Sequence, residues 1–232
     1  MSNLTIATVN FNTPEYMFAL SHSLKKYNAW YTDAIQVYDN STIKVFPQGT
    51  IYSPDTTPLS IKYVDDSIYQ PINELPPSKY PAAGNYNSAR HAITIDYLMS
   101  FVTTPYLLLL DSDIVFITNF ISVFDYFIKS NAVMQGFLRD TYKHKCIAPW
   151  ACFFNMTLIQ AHNLKFYDDS RILYINDNTD YDTGASLYED AHKLNLRINY
   201  TKDNTFYRHF KGGSVFKDNG IAWLDNNVNL WW

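Results

Sequence analysis

Glycine is scarce, with seven residues in a chain of 232. The sequence holds no G-x-G-x-x-G and no G-x-x-x-x-G-K, the usual ways of bringing backbone amides up to a phosphate. Positive charge is thin as well. Eighteen Lys and Arg against 22 Asp and Glu give a formal net charge of −4. No stretch concentrates the cations, which argues against a nucleic-acid binder that works by neutralising phosphates. The two cysteines, Cys146 and Cys152, offer neither zinc spacing nor a disulfide framework, and their apolar neighbours mark them as inert core thiols. No apolar run approaches the roughly 18 residues of a membrane span. Residues 1–10 lack the basic and long apolar segments of a secretory signal, so the cytoplasm is the expected compartment. The N-x-S/T sequons at Asn3, Asn40, Asn155 and Asn199 then carry no weight.

What the chain has in quantity is apolar and aromatic material, 47% and 17% of residues, enough for a core and too much for a disordered chain. Its first half alternates strand and helix. Leu4 to Val9 reads as a buried strand. Thr13-Pro14-Glu15 supplies an N-cap, a Pro at the first helical position and an acidic first turn, and Met17, Leu20, Leu24 and Tyr27 follow at helical spacing. Ala34 to Tyr38 is a second strand, and Ile61 to Val64 a short one within a long irregular connection over residues 46–84. Ala89, Ala92, Ile95, Leu98, Met99 and Val102 mark another helix, which leads into the continuous apolar strand Tyr106 to Leu110.

This alternation predicts an α/β fold with a Rossmann-like, mostly parallel central sheet flanked by helices. The second half predicts a smaller mixed sheet. A helix is expected over 119–129, strands over 132–137 and 150–154, a helix over 182–194, and strands over 196–200 and 206–210. One domain over 1–232 is expected, with a nucleotide-binding half at about 1–115 and an acceptor half at about 116–232. The abrupt Trp231-Trp232 end suggests truncation from a longer chain.

In a doubly wound sheet ligands sit beyond the carboxyl ends of the strands. Three polar tips fall there: Asn10, Asp39 and Asp111-Ser112-Asp113. Paired carboxylates are hard oxygen ligands suited to Mg²⁺ or Mn²⁺ bridging a diphosphate. The pattern alone is weak, because Asp180-Tyr181-Asp182 repeats it; the strand ahead of Asp111 is what distinguishes the first copy.

Thr8-Val9-Asn10-Phe11-Asn12-Thr13-Pro14, Val37-Tyr38-Asp39-Asn40-Ser41 and Leu108-Leu109-Leu110-Asp111-Ser112-Asp113 together resemble the successive signatures of GT-A glycosyltransferases, especially those of family 2. The resemblance implies a nucleotide-sugar donor, a UDP-sugar first, and a divalent cation, Mn²⁺ or Mg²⁺. It implies that Thr8, Val9 and Asn10 line the nucleoside and that Asp39 accepts from the base. Asp113, with or without Asp111, faces the metal, and Ser112 lies with them at the donor. Arg90, on the helix ahead of that strand, is placed near ribose and diphosphate, while His91 reads as a satisfied helix histidine.

Arg208-His209-Phe210-Lys211-Gly212-Gly213-Ser214 is similar to the family's histidine segment, which implies His209 as a metal ligand and Lys211 and Ser214 as phosphate contacts. The acidic motif upstream falls at Asp182, 27 residues before His209, with Asp190 as the alternative at 19 residues. Asp-Thr-Gly stands where many relatives have Glu-Asp. Asp182 is the candidate general base, and its competing reading is an N-cap. Trp150, Trp223, Trp231 and Trp232 offer flat surfaces for a sugar ring, Trp150 being the acceptor-side choice.

The expected activity is sugar transfer to a glycan hydroxyl with inversion. Three other readings stand beside it. His209-Phe210-Lys211-Gly212 also resembles the metal-histidine segment of the retaining family 8. A nucleotidyltransferase would want a basic Gly-rich first loop, which is missing after Val9. A binding module without turnover is the alternative from another class.

Overall fold

The computed structural model describes residues 3–10, 14–33, 35–39, 61–63, 83–140, 144–172 and 181–210. In chain order they form β1 (Leu4–Asn10), α1 (Pro14–Tyr27), β2 (Ile35–Asp39), β3 (Ile61–Tyr63), α2 (Ala83–Met99), β4 (Tyr106–Asp111) and β5 (Ile114–Phe116). There follow α3 (Ile121–Ser130), β6 (Met134–Arg139), β7 (Cys146–Ile147), β8 (Ala151–Asn155), α4 (Met156–Ala161), α5 (Asp169–Ile172), α6 (Ala185–Lys193), β9 (Ile198–Thr201) and β10 (Tyr207–His209).

The main sheet has eight strands in the order β3-β2-β1-β4-β8-β6-β7, with β9 alongside β6. Strands β3, β2, β1 and β4 run parallel, as β-α-β connections require. Beyond β4 the sheet changes character, because β8 runs antiparallel to β4 and β6 antiparallel to β8. The smaller sheet is an antiparallel ribbon of β5 and β10, simpler than the mixed sheet that the sequence predicts. No described helix is long and apolar enough to cross a membrane.

The apolar run of β4 follows from its place in the middle. Leu107 and Leu109 pack into one cluster with Ala7, Val9 and the buried face of α2, while Leu108 and Leu110 pack into the other with Leu4, Ile6, Met17 and Leu20. A strand covered on both faces is apolar at every position, and each such leucine contributes about 1.5–3 kcal/mol by leaving water. Phe116, Phe120, Phe153 and Phe206 fill the second cluster with ring centroids 5.4–6.3 Å apart. Much of the aromatic surplus is therefore core. Cys146 and Cys152 are buried free thiols, pushed up by that burial, Cys146 to about 12, which fits the expectation of inert core residues.

Candidate active site

Strands β1, β2 and β4 each run one residue further than their sequence signals, which makes Asn10, Asp39 and Asp111 the last residues of their strands. Register brings these ends together, with Asn10 opposite Asp39 and Val9 opposite Asp111. Thr8, Val9 and Asn10 are buried. The Thr8 hydroxyl oxygen has no hydrogen-bond partner among the described residues. Asp39 and Arg90 lie at the end of β2 and on α2, and their side chains fall outside the described set. Lys211, Ser214, Gly212, Gly213, Trp223, Trp231 and Trp232 lie outside the described residues altogether.

Residue 209 reaches this edge through the β5–β10 ribbon. His209 pairs with Ile114, one residue past Asp113, and the Phe210 amide donates to the Asp113 carbonyl at 3.0 Å. His209 Nε2 consequently lies 3.1 Å from Asp113 Oδ1 and 3.5 Å from Asp111 Oδ2. One donor atom from each of Asp111, Asp113 and His209 falls within a 4.8 Å cluster. Burial pushes the Asp111 carboxyl above the usual range, and Asp113 and Asp182 add to the push, while His91 and His209 oppose it. Burial alone would lower the His209 imidazole, but its hydrogen bond to Asp113 and the charges of Asp111 and Asp113 raise it instead. Two carboxylates and an imidazole, crowded and partly desolvated, fit a divalent cation. The carboxylates suit Mg²⁺ or Mn²⁺, and the nitrogen favours Mn²⁺. Ser112, also buried, spans the two carboxylates.

Asp182 stands beside this cluster, near enough for its charge to act on Asp111. It is not the helix N-cap: α6 starts at Ala185, and its N-cap is Gly184 in a left-handed conformation at φ 95°. A Cβ at Gly184 would meet the Ile147 carbonyl oxygen at 2.7 Å, so only glycine closes this turn against β7. The Asp182 side chain is held elsewhere. Oδ1 accepts from Ser88 Oγ at 2.8 Å and from the Thr183 amide at 2.7 Å, and Oδ2 pairs with Arg139 Nη1.

The sequence points to Arg90, but the described contacts come from Ser88 and His91, three residues apart on one face of α2. Ser88 holds Asp182, and His91 Nε2 lies 3.8 Å from Asp111 Oδ1. Arg139 is a second residue that the sequence reading missed. Its guanidinium carbon sits 5.5 Å from the Trp150 ring centroid, and the ring is also packed by Phe137 at 5.8 Å and His209 at 4.7 Å. The Trp150 indole N–H donates to the Tyr207 hydroxyl at 3.1 Å, and its carbonyl accepts from the Asp111 amide at 3.0 Å. Trp150, expected as a sugar platform, is thus packed by three side chains, Arg139, Phe137 and His209.

Asp190 is drawn into a different network. Its two oxygens take a fork from Arg171 at 2.9 and 2.7 Å, which holds the carboxyl below the usual range. What separates the two carboxylates is place: the charge of Asp182 acts on Asp111, and Asp190 belongs to the Arg171 network.

No protein-family model and no curated protein sequence matches the chain. Solved structures do resemble it. TarS 1–349 from S. aureus superposes with a TM-score of 0.52 at 11% identity, over 92% of this chain and 62% of that one. The galactosyltransferase LgtC, solved with donor and acceptor sugar analogs, gives 0.55 at 12% identity over 85% and 73%. Core-mannan synthase A from Aspergillus fumigatus, in a Mn/GDP form, gives 0.55 at 9% identity over 90% and 75%. The chain spans about three-fifths of the TarS fragment's length. At these identities the likeness concerns architecture. The chain has the GT-A fold of nucleotide-sugar-dependent glycosyltransferases.

Proposed function

We propose that this chain is a metal-dependent glycosyltransferase that moves a sugar from a UDP-linked donor to a glycan hydroxyl with inversion, with Asp182 as general base. The observation that carries the reading is the convergence of Asp111, Asp113 and His209 at the strand ends, with the Asp182 carboxylate beside them. Structural neighbours add support: the TarS fragment in complex with UDP-GlcNAc, and the mannan synthase with Mn and GDP. Asp111, Asp113 and His209 would hold the cation. What such a cation supplies when bound is neutralisation of charge on the leaving diphosphate.

The carboxyl end of β1, with Thr8, Val9 and Asn10 buried, forms the floor for a nucleoside. The acceptor oxygen attacks the anomeric carbon and its proton passes to Asp182. The bond from that carbon to the diphosphate oxygen breaks, and the electron pair leaves with the nucleotide. A retaining reaction is the second reading, because the His209 segment also resembles the metal-histidine segment of family 8 and His209 joins the cluster on either reading.

The test is a thermal-shift and UDP-release assay with UDP-GlcNAc, UDP-glucose and UDP-galactose, each with and without Mn²⁺. A donor held at about a hundred times its Kd should stabilise the protein by about 2.7 kcal/mol, only with Mn²⁺ present. Asp182→Asn should keep that shift and lose turnover by about 100-fold or more. Absence of any shift or UDP release with all three donors overturns the reading. NMR of the product's anomeric centre decides between inversion and retention.

A further inference from the structure

Asp182 is surrounded by donors, and how they divide between its two oxygens limits where a substrate hydroxyl can approach. A carboxylate offers about four lone-pair sites, two on each oxygen. Both sites on Oδ1 are used, by Ser88 Oγ at 2.8 Å and the Thr183 amide at 2.7 Å. Among the described residues Oδ2 has one partner, Arg139 Nη1. A hydroxyl that hands its proton to Asp182 therefore meets Oδ2, the oxygen that Arg139 grips.

Arg139 is itself held to the frame of the metal cluster. It is the last residue of β6, and with Phe137, two residues earlier on the same face of the strand, it packs on Trp150. Trp150 is bound through its backbone to Asp111 and packs its ring on His209. The guanidinium thus spans from the indole that backs the cluster to the oxygen that faces the acceptor. Its planar shape serves both contacts, stacking on the ring and pairing with the carboxylate.

We propose that Arg139 is a positioning residue for the transfer reaction: it fixes the rotation of the Asp182 carboxylate so that Oδ2 meets the acceptor hydroxyl, and it references that carboxylate to the metal cluster through Trp150. The proposal rests on Asp182 being the general base. Arg139 acts through Asp182, so its loss should lower turnover with little effect on how tightly donor or metal is held. Lysine keeps the charge but not the plane, and should restore only part of the function.

The experiment compares wild type, R139M, R139K, D182N and the R139M/D182N double variant in the full chain. It uses whichever of the three UDP-sugars wild type turns over, and a Mn²⁺ titration followed by electron paramagnetic resonance. R139M should lower kcat about 30- to 100-fold, a large part of what a general base supplies. KM for the donor and the Mn²⁺ affinity should stay within about threefold of wild type, and R139K should fall between wild type and R139M. The double variant should be no slower than D182N, because two residues acting as a unit do not add.

An R139M kcat within about threefold of wild type overturns the proposal. So does a kcat loss matched by loss of Mn²⁺ binding, which would mark a structural role, and so does a double variant slowed by the product of the single effects. If D182N is inactive while R139M is not, Arg139 alone is misassigned. If D182N is fully active, or wild type neither binds Mn²⁺ nor turns over any donor, the underlying function falls and this role with it.

Discussion

Asp168, Glu189 and Asp190 gather around Arg171, whereas Asp111 and Asp113 meet at the strand ends with Asp182, paired to Arg139, beside them. Each group has three carboxylates, one guanidinium and histidine close by, yet the arginines are used differently. Arg171 reaches all three of its carboxylates, Asp168 at 2.7 Å, Glu189 at 3.4 Å and Asp190 through a fork. His144 adds a contact to Glu189 at 3.2 Å, and Lys193 one to Asp190 at 3.6 Å. Arg139 reaches Asp182, while Asp111 and Asp113 meet imidazoles.

The carboxyls respond in opposite directions. The hydrogen bonds from Arg171 hold Asp190 low, and against the cost of burial Ser170 and Arg171 do the same for Asp168. Burial raises Asp111. An acidic cluster with its cation built in is part of the scaffold. The strand-end cluster has imidazoles where the other has a guanidinium, and the proposed metal site rests on that arrangement.

Three substitutions bear on this contrast, taken from the largest expected effect to the smallest. Asp113→Ala should weaken Mn²⁺ binding by at least about 100-fold, beyond the range typical of outer-shell losses. The melting temperature should move little, because relief of the like charge beside Asp111 is offset by loss of the 3.1 Å contact to His209. A destabilised variant that still binds Mn²⁺ would reverse the assignment of the two clusters.

Arg171→Met should show the opposite pattern. Leaving three part-buried carboxylates uncompensated should cost about 2–3 kcal/mol, below the full penalty for a deeply buried pair because these side chains keep some contact with water. That is about 4–12 °C by calorimetry for a chain of this size. Mn²⁺ affinity should not change. The pH dependence follows from sign: Asp168 and Asp190 sit below their ordinary value of 3.8 in the folded state, so their stabilisation is present above that value. It is lost as pH falls through the folded values, so the gap between variant and wild type should narrow below pH 3.8.

His91→Ala is the mildest. At 3.8 Å from Asp111 it orients the carboxylate only loosely. Its loss should weaken Mn²⁺ about three- to tenfold, at or below the low end of outer-shell effects. An unchanged titration would remove His91 from the site.

How much of this was legible in the sequence depends on how far apart the interacting residues lie. β1, β2 and β4 announce themselves through apolar runs ended by polar residues, and that local signal also located Asn10, Asp39 and Asp111. His209 was found because a segment around it resembles a known motif. Ser88, His91 and Arg139 left no such trace. Ser88 meets Asp182 from 94 residues away, and Arg139 from 43. Nothing local distinguishes a serine or histidine on the working face of α2 from one on its surface. The same limit hides the fork between Asp190 and Arg171, 19 residues apart in the chain. The competing N-cap reading of Asp182 fails for a different reason. The turn belongs to Gly184, whose close approach to Ile147 depends on where β7 sits.

The hydrogen bond from the Asp111 amide to the Trp150 carbonyl has a topological consequence. Because β8 returns antiparallel beside β4, the ends of the two strands are pinned together at the site. The elements between them are tied down separately, β5 to β10 and β6 between β8 and β7. Lengthening a loop adds only about 0.6 kcal/mol of closure entropy for each doubling. The turns joining these elements can therefore change in length while the carboxylates at the strand end keep their places.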